Sequence, residues 1–253
     1  MTGTGHSNNE FLGGRLTLKQ PKKGYRVSSD SVFLAAAIPL KPQERILDMG
    51  VGTGGILSCL AARIGGEADN CIMHGIEIQS ELVILARENA SKNGFDHFTK
   101  YFEGDIFNDI HECTPNYYHH VVSNPPYYEK GKISNSSHKS KSVAFGEELE
   151  DLKVWIERCV RMVRPKGYLT VIHRADRLDD ILTALNAKTG SIIVYPFYSK
   201  VENDAKRVII RAQKDGNGHL TLKSGLIVHK SDGKYTAAAE DILRHAKELD
   251  ISK

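Results

Sequence analysis

The chain has 253 residues, of which 40% are hydrophobic, so it is long enough to bury the core of one domain. Its formal net charge of +3 is too small either to require or to exclude a polyanionic partner. No stretch approaches the run of about 18 apolar residues that a membrane span needs, and the N-terminus lacks the apolar core of a signal sequence. We therefore expect no membrane-spanning helix and no membrane partner.

The four cysteines and eleven histidines do not follow a metal-binding pattern. His119 and His120 are adjacent on a predicted strand, so their side chains point to opposite faces. The cysteines are widely spaced and mostly lie in apolar periodic segments, which is typical of free thiols in a reducing cytoplasm. They are Cys59, Cys71, Cys113 and Cys159. We therefore expect no metal site and a cytoplasmic location.

The first forty residues are predicted to form a disordered segment, a hairpin and a helix. Residues 1–10 are polar and glycine-rich, so we expect disorder there. Residues 11–27 alternate short apolar and basic stretches around glycine-containing turns, which is typical of a β-hairpin. The apolar run at residues 32–37 predicts a helix that Pro39 ends.

A buried strand is predicted at residues 45–49, directly before the glycine loop Gly50-Val51-Gly52-Thr53-Gly54-Gly55 and a helix. This succession is the first half of a nucleotide-binding βαβ unit, whose glycines let the backbone approach a ligand closely. The glycine spacing alone also fits a dinucleotide site. Asp48 argues against that interpretation, because a carboxylate there would repel a pyrophosphate but would bind the ammonium group of an amino acid.

The next two predicted strands also end near acidic residues. Glu77 follows the second strand and is placed to accept both hydroxyls of a ribose. Asp105 follows the third strand and could accept an adenine amino group, while Ile78 and Ile106 sandwich the ring. Each acid alone could be a helix cap or a solvated turn. Together, at three successive strand ends beside a glycine loop, they predict a site for a ligand with amino-acid, ribose and adenine parts.

The fourth predicted strand ends at Asn124-Pro125-Pro126-Tyr127. Two consecutive prolines prevent the strand from continuing and hold an extended turn at its carboxyl end, where open α/β sheets bind ligands. The amide oxygen of Asn124 and the carbonyl oxygen of Pro125 could each accept one N–H of an exocyclic amine, while Tyr127 stacks on the plane. The alternative is a plain strand-to-loop turn with a surface tyrosine.

The remainder of the chain predicts one continuous domain. Residues 129–146 are rich in lysine and serine and lack hydrophobic periodicity, so they form either a solvated loop or a contact with substrate. Strand and helix patterns then alternate to the end without a repeat or a linker. We expect an N-terminal hairpin and helix at residues 11–40, a Rossmann-like α/β core at residues 41–213, and a C-terminal addition at residues 214–253, all within one domain spanning residues 11–253.

These motifs resemble the Rossmann-like S-adenosylmethionine-dependent methyltransferases that act on exocyclic or amide nitrogens. The resemblance is carried by Asp48-x-Gly50-x-Gly52, Glu77, Asp105 and Asn124-Pro125-Pro126-Tyr127. Segments 20–30, 206–209 and 226–228 also occur in the same order as in the bacterial tRNA adenine-N6 methyltransferases, a family that modifies adenine 37 of tRNA(Val). This wider similarity covers residues 11–245.

The resemblance implies a doubly wound, seven-stranded sheet whose last strand is antiparallel, S-adenosyl-L-methionine as cofactor, and methylation of N6 of an adenine in tRNA. The implied cofactor-binding residues are Asp48, Gly50, Gly52, Gly54, Glu77, Ile78, Asp105 and Ile106. The implied catalytic residues are Asn124, Pro125, Pro126 and Tyr127. The candidates for substrate binding are Tyr128, Lys22, Lys23, Lys139 and Lys141.

Several alternatives stay open at this point. The same fold could methylate the N2 of an rRNA guanine, a DNA adenine or a protein glutamine. The glycines also suit a nicotinamide-dependent oxidoreductase, and the fold could serve as a non-catalytic RNA- or protein-binding module. The oligomeric state is left open, with a monomer favoured.

Overall fold

The first elements along the chain are two antiparallel strands, β1 (His6–Phe11) and β2 (Leu16–Pro21). The computed structural model describes residues 5–126, 148–185 and 188–253. The prediction of disorder for residues 1–10 is wrong for residues 6–10. This segment is polar and carries no strand pattern, but its backbone pairs along its whole length with β2, which buries Leu16 and Leu18.

A mixed sheet forms the centre of the molecule. Its main strands are β3 (Arg45–Met49), β4 (Ile72–Glu77), β5 (Thr99–Glu103), β6 (Tyr118–Ser123), β7 (Val163–Arg174), β8 (Thr189–Tyr198) and β9 (Ala205–Lys214). They lie side by side in the order β8-β9-β7-β6-β3-β4-β5, and β9 runs antiparallel to both of its neighbours. The predicted doubly wound sheet with an antiparallel last strand is confirmed.

Helices cover both faces of this sheet. They are α1 (Ser29–Ala36), α2 (Gly55–Ile64), α3 (Ser80–Lys92), α4 (Glu148–Met162), α5 (Leu178–Leu185) and α6 (Ala237–His245). The first three share one hydrophobic cluster with Val122, whereas α4 and α5 share the other with Val121. Adjacent residues of β6 therefore point into opposite layers, as the two-residue period of a strand requires. Within the described ranges no helix is long and apolar enough to cross a membrane.

The C-terminal residues pack against the N-terminal ones. Strands β10 (Thr221–Leu222) and β11 (Leu226–Ile227) extend the sheet beside β8, and α6 follows. Arg15 Nη1 donates to the carbonyl oxygen of Arg244 at 2.8 Å, and the Leu249 amide donates to the carbonyl oxygen of Ala36 at 2.9 Å. The two terminal additions, which are distant in sequence, thus meet in one layer beside α1.

Parallel pairing brings the ends of β3, β4, β5 and β6 to one edge of the sheet. Asp48 pairs with Gly75 on one side and with Val122 on the other, while Glu77 pairs with Glu103. The polar residues that follow these strands are therefore neighbours, although up to 76 positions separate them along the chain. This carboxyl edge is where open α/β sheets bind ligands.

Asn89 of α3 holds the hairpin and the glycine loop together. Its fully buried amide Nδ2 donates to the carbonyl oxygens of Lys19 and Thr53, both at 3.0 Å, and its Oδ1 accepts from the Lys19 amide at 2.7 Å. One side chain thus connects α3, β2 and the loop between β3 and α2.

We expect Asn89→Ala to lower the free energy of unfolding by about 2–4 kcal/mol, because it leaves the buried carbonyl of Thr53 and the partly buried backbone groups of Lys19 unpaired. Equilibrium denaturation in guanidinium measures this loss. Asn70→Ala, at an exposed position, serves as the control and should change stability by less than about 0.5 kcal/mol. Equal stability of the two variants would contradict the role given to Asn89.

Candidate active site

The glycine loop between β3 and α2 is held in a conformation that favours glycine. Gly50, Gly52 and Gly54 have φ angles of 83°, 56° and 83°, in the left-handed region where a side chain would cause strain. The amides of Gly50 and Val51 both donate to the carbonyl oxygen of Ile76, at 3.0 and 2.9 Å. The loop is therefore anchored to the end of β4, next to Glu77.

Asp48 lies at the end of β3 and is fully buried. Neither of its carboxylate oxygens has a hydrogen-bond partner among the described residues. Burial raises the pKa of Asp48 well above its ordinary value, and the nearby charge of Glu77 raises it further. A buried carboxylate without partners is unfavourable unless a cation or a hydrogen-bond donor reaches it. The ammonium group of an amino acid would supply both.

Glu77 is almost completely buried but has backbone partners. Its Oε2 accepts from the Gly52 amide at 3.1 Å, and its Oε1 accepts from the Gln79 amide at 3.0 Å. Burial raises the pKa of Glu77, although these hydrogen bonds act in the opposite direction. Because each carboxylate oxygen has further lone pairs, the oriented group keeps the capacity to accept ligand hydroxyls.

Asp105 and its apolar neighbours lie at the adjacent strand ends. Asp105 Oδ1 accepts from the Phe107 amide at 3.0 Å, and Oδ2 accepts from Asn108 Nδ2 at 3.1 Å, so the carboxylate also shapes its own turn. Ile106 is buried and lines a cavity of about 290 Å³, whereas Ile78 is 52% exposed. Ile106 thus forms part of the wall of this cavity. Ile78 instead presents an exposed apolar side chain.

The Asn-Pro-Pro turn begins directly after β6. Asn124 is half-buried, Pro125 is buried and Pro126 is exposed. Val122 pairs with Asp48, so Asn124 follows the strand beside the one that leads into the glycine loop. The predicted site residues Tyr127, Tyr128, Lys139 and Lys141 lie outside the described residues.

Tyr25 reaches the glycine loop from outside the Rossmann-like core. A Cβ atom on Gly52 would lie 2.3 Å from Cε1 of Tyr25, so the phenol ring packs directly on the loop. Burial raises the pKa of Tyr25, and the charges of Asp48 and Glu77 raise it further. In the sequence, Tyr25 stands out only as part of segment 20–30, one of the segments that carry the family resemblance. An aromatic residue after a Lys-Lys-Gly turn does not predict a contact with Gly52, which lies 27 positions further along the chain.

The same segment carries Lys22 and Lys23, which are exposed. Gln20 Oε1 accepts from the Val27 amide at 2.7 Å, and a Cβ on Gly55 would lie 2.4 Å from Val27 Cγ2. Residues 25–27 therefore cover the glycine loop, and the two exposed lysines lie in the bend that precedes them in the chain.

The structure thus gathers Asp48, Glu77 and the three glycines into one site, with Asp105 and Asn124 at the neighbouring strand ends. An unpaired buried carboxylate, an oriented second carboxylate and a glycine-rich backbone loop fit the ammonium and ribose groups of S-adenosyl-L-methionine. The carboxylates can accept hydrogen bonds from these groups directly, so the contacts do not require a metal ion.

We expect Asp48→Asn to stabilise the ligand-free protein at pH 8. A folded-state pKa above the ordinary aspartate value of about 3.9 means that wild-type stability falls, by about 1.4 kcal/mol per pH unit, as the pH rises from the ordinary pKa toward the raised one. A neutral amide avoids this loss, so the advantage of Asp48→Asn should grow between pH 5 and pH 8. Denaturation at both pH values measures it. Asp96→Asn, at an exposed position, is the control, and a less stable Asp48→Asn at pH 8 would refute the interpretation.

Comparison with known proteins identifies the family of the chain. The family model described as N-6 DNA methylase matches residues 26–183, which is more than half of the chain. A tRNA1(Val) (adenine(37)-N6)-methyltransferase from Aeromonas hydrophila is 26% identical over 231 residues, covering 90% of this chain and 93% of the relative. The protein of the same name from Pedobacter heparinus is 26% identical over 239 residues, covering 93% and 97%.

Solved structures share the fold. A predicted O-methyltransferase from Agrobacterium tumefaciens superposes with a TM-score of 0.71 at 21% identity, covering 87% of this chain and 97% of that one. The tRNA (m1A58) methyltransferase from Aquifex aeolicus gives a TM-score of 0.53 at 13% identity, covering 78% and 72%. The family model and the named relatives show that the chain belongs to the N-6 DNA methylase family and is an S-adenosylmethionine-dependent methyltransferase.

Proposed function

We propose that the protein methylates N6 of an adenine in tRNA. The observation that carries this proposal is the placement of Asn124-Pro125 beside a site whose buried Asp48 and oriented Glu77 suit the cofactor. The choice of tRNA is supported by relatives named for adenine-N6 methylation of tRNA, which align with about nine-tenths of the chain. The family model carries the name of DNA methylases, so DNA adenine is the competing substrate.

Each cofactor contact has a residue with the required chemistry. Asp48 would pair with the ammonium group, Glu77 would accept the ribose hydroxyls, and Asp105 would accept from the adenine amino group. Gly50, Gly52 and Gly54 give the loop the left-handed backbone that holds it beside Asp48 and Glu77. When bound, S-adenosyl-L-methionine supplies a methyl group that is electrophilic because it is attached to a positively charged sulfur.

Asn124 and Pro125 would prepare the acceptor amine. The amino nitrogen of adenine is a poor nucleophile because its lone pair is delocalised into the ring. Accepting its two hydrogens at the Asn124 amide oxygen and the Pro125 carbonyl oxygen favours a pyramidal nitrogen, whose lone pair is then free to attack. No base with a shifted pKa is needed before transfer, since the proton leaves the nitrogen afterwards. Positioning and electrostatic complementarity provide most of the rate.

The target base must leave its stack before it reaches Asn124. Adenines in RNA loops are often unstacked already, which lowers the cost of binding them. We expect Tyr127 to stack on the base, and Tyr128, Lys139 and Lys141 to contribute to RNA binding. The exposed Lys22 and Lys23 would contact phosphates. A cytoplasmic location is part of this proposal, because all four cysteines are buried and unpaired, as in a reducing compartment.

Incubation with labelled cofactor and separate pools of unmodified tRNA, rRNA and duplex DNA tests the substrate. We expect labelled N6-methyladenosine in the tRNA pool, identified by nucleoside mass spectrometry. Labelled N6-methyldeoxyadenosine in the DNA pool alone would overturn the proposal in favour of a DNA methylase. Label recovered only in added protein would assign the enzyme to an amide substrate.

We expect Asn124→Ala to lower the single-turnover rate by about 100- to 1000-fold, because removal of one preorganised polar group costs about 2.7–4 kcal/mol in the chemical step. The affinity for tRNA should change far less, since phosphate contacts dominate binding. Rapid-quench kinetics and equilibrium binding separate the two effects. Asn217→Ala, at an exposed position in the C-terminal part, is the matched control. Full chemical-step activity in Asn124→Ala would refute the mechanism.

A further inference from the structure

Trp155 is the only tryptophan of the chain, and it connects three elements at the carboxyl edge of the sheet. It projects from α4, and its indole Nε1 donates to Ser123 Oγ at 2.9 Å. Ser123 Oγ donates in turn to the carbonyl oxygen of Met49 at 2.6 Å. Ser123 is fully buried, so water does not compete for these bonds. Two consecutive hydrogen bonds therefore connect α4 to the ends of β6 and β3.

The indole ring also contacts the site itself. A Cβ atom on Gly50 would lie 2.9 Å from Trp155 Cζ2, so the ring packs against the first glycine of the loop. The ring of Phe107, two residues after Asp105, meets it edge-to-face with centroids 5.9 Å apart. A side chain at position 50 would therefore be unfavourable for two reasons: the backbone is left-handed there, and the Trp155 ring fills the space.

We propose that Trp155 is a positioning residue for methyl transfer, which sets the separation between the glycine loop and the Asn-Pro-Pro turn. Ser123 directly precedes Asn124, and Met49 directly precedes Gly50. The inference rests on the acceptor role proposed above for Asn124.

The reason lies in where the strand pairing ends. The pairing of β3 with β6 extends to Asp48 and Val122. Beyond that point, the Ser123 hydroxyl provides the connection between the two strand ends. A hydroxyl rotates freely unless both its hydrogen and its acceptor site are used. The Ser123 hydroxyl donates its hydrogen to the Met49 carbonyl oxygen, and its oxygen accepts from the Trp155 N–H. These two hydrogen bonds fix the orientation of the hydroxyl. Since methyl transfer depends steeply on the approach of the two reacting atoms, a small shift of these ends should reduce the rate more than the affinity.

The kinetic test uses Trp155→Phe, Ser123→Ala and the double variant on unmodified tRNA. We expect both single variants to lose about tenfold in single-turnover rate at saturating cofactor, equivalent to about 1.4 kcal/mol. The double variant should be no slower than the slower single one, because both remove the same connection. Affinity for S-adenosylhomocysteine, measured by calorimetry, should change by less than about threefold.

Tyr168→Phe is the matched control. Its hydroxyl accepts from Gln213 Nε2 at 3.2 Å, and it pairs with His120, three residues before Ser123 on β6. It therefore loses a comparable hydrogen bond on the same sheet, away from the site. Its single-turnover rate should equal that of the wild type.

A second readout is independent of turnover. Because the chain has one indole N–H, its amide-region NMR signal is unambiguous. We expect slow hydrogen exchange of this proton in the wild type and in Tyr168→Phe, fast exchange in Ser123→Ala, and a shifted signal when S-adenosylhomocysteine is added to the wild type.

The outcomes separate this inference from the proposed function. A wild-type rate in Trp155→Phe and Ser123→Ala, together with a large loss in Asn124→Ala, would overturn the positioning role alone. Equal losses in rate and in cofactor affinity would make Trp155 a residue of the binding site and would also overturn it. If Trp155→Phe does not fold, Ser123→Ala decides by the same criteria.

Discussion

The buried carboxylate of Asp48 is the constraint on which the rest of the site depends. It ends a fully internal strand, it has no hydrogen-bond partner among the described residues, and burial raises its pKa. A folded protein retains such a group at a cost in stability, which a bound cation removes. The glycine loop, Glu77 and Tyr25 surround this carboxylate. In the proposed function, the ammonium group of the cofactor completes the electrostatics of this site.

The segment before the Rossmann-like core contributes to the site as much as the core does. Residues 25–27 lie over the glycine loop, and they are held there by Gln20 and, through the hairpin, by Asn89. The C-terminal helix α6 packs in turn against the hairpin turn and α1. The two terminal additions therefore support the segment that covers the glycine loop, and a truncation of either one would disturb this loop without removing a core strand.

The site has two halves that meet where the pairing of β3 and β6 stops. In the proposed function, the cofactor half uses the ends of β3, β4 and β5, near which Asp48, Glu77 and Asp105 lie. The proposed acceptor half uses the Asn-Pro-Pro turn after β6. Backbone hydrogen bonds hold parallel strands at a constant separation, but they do not extend into the two loops that carry the chemistry. Side chains from the opposite layer, above all Trp155, complete the connection.

The sequence by itself determined the features that depend on interactions between residues close together in the chain. Glycines with left-handed φ, acids at the ends of buried strands and a double proline after a strand each act within a few residues. The loop conformation and the strand-end positions of Asp48, Glu77 and Asn124 were therefore predictable. Only the tertiary structure decided that β1 forms, since its polar side chains carry no strand pattern. It also decided that Ile78 is exposed while Ile106 is buried, and it brought Tyr25 and Trp155 into contact with the glycine loop. These depend on backbone pairing and on the packing of layers distant in sequence, which no local pattern encodes.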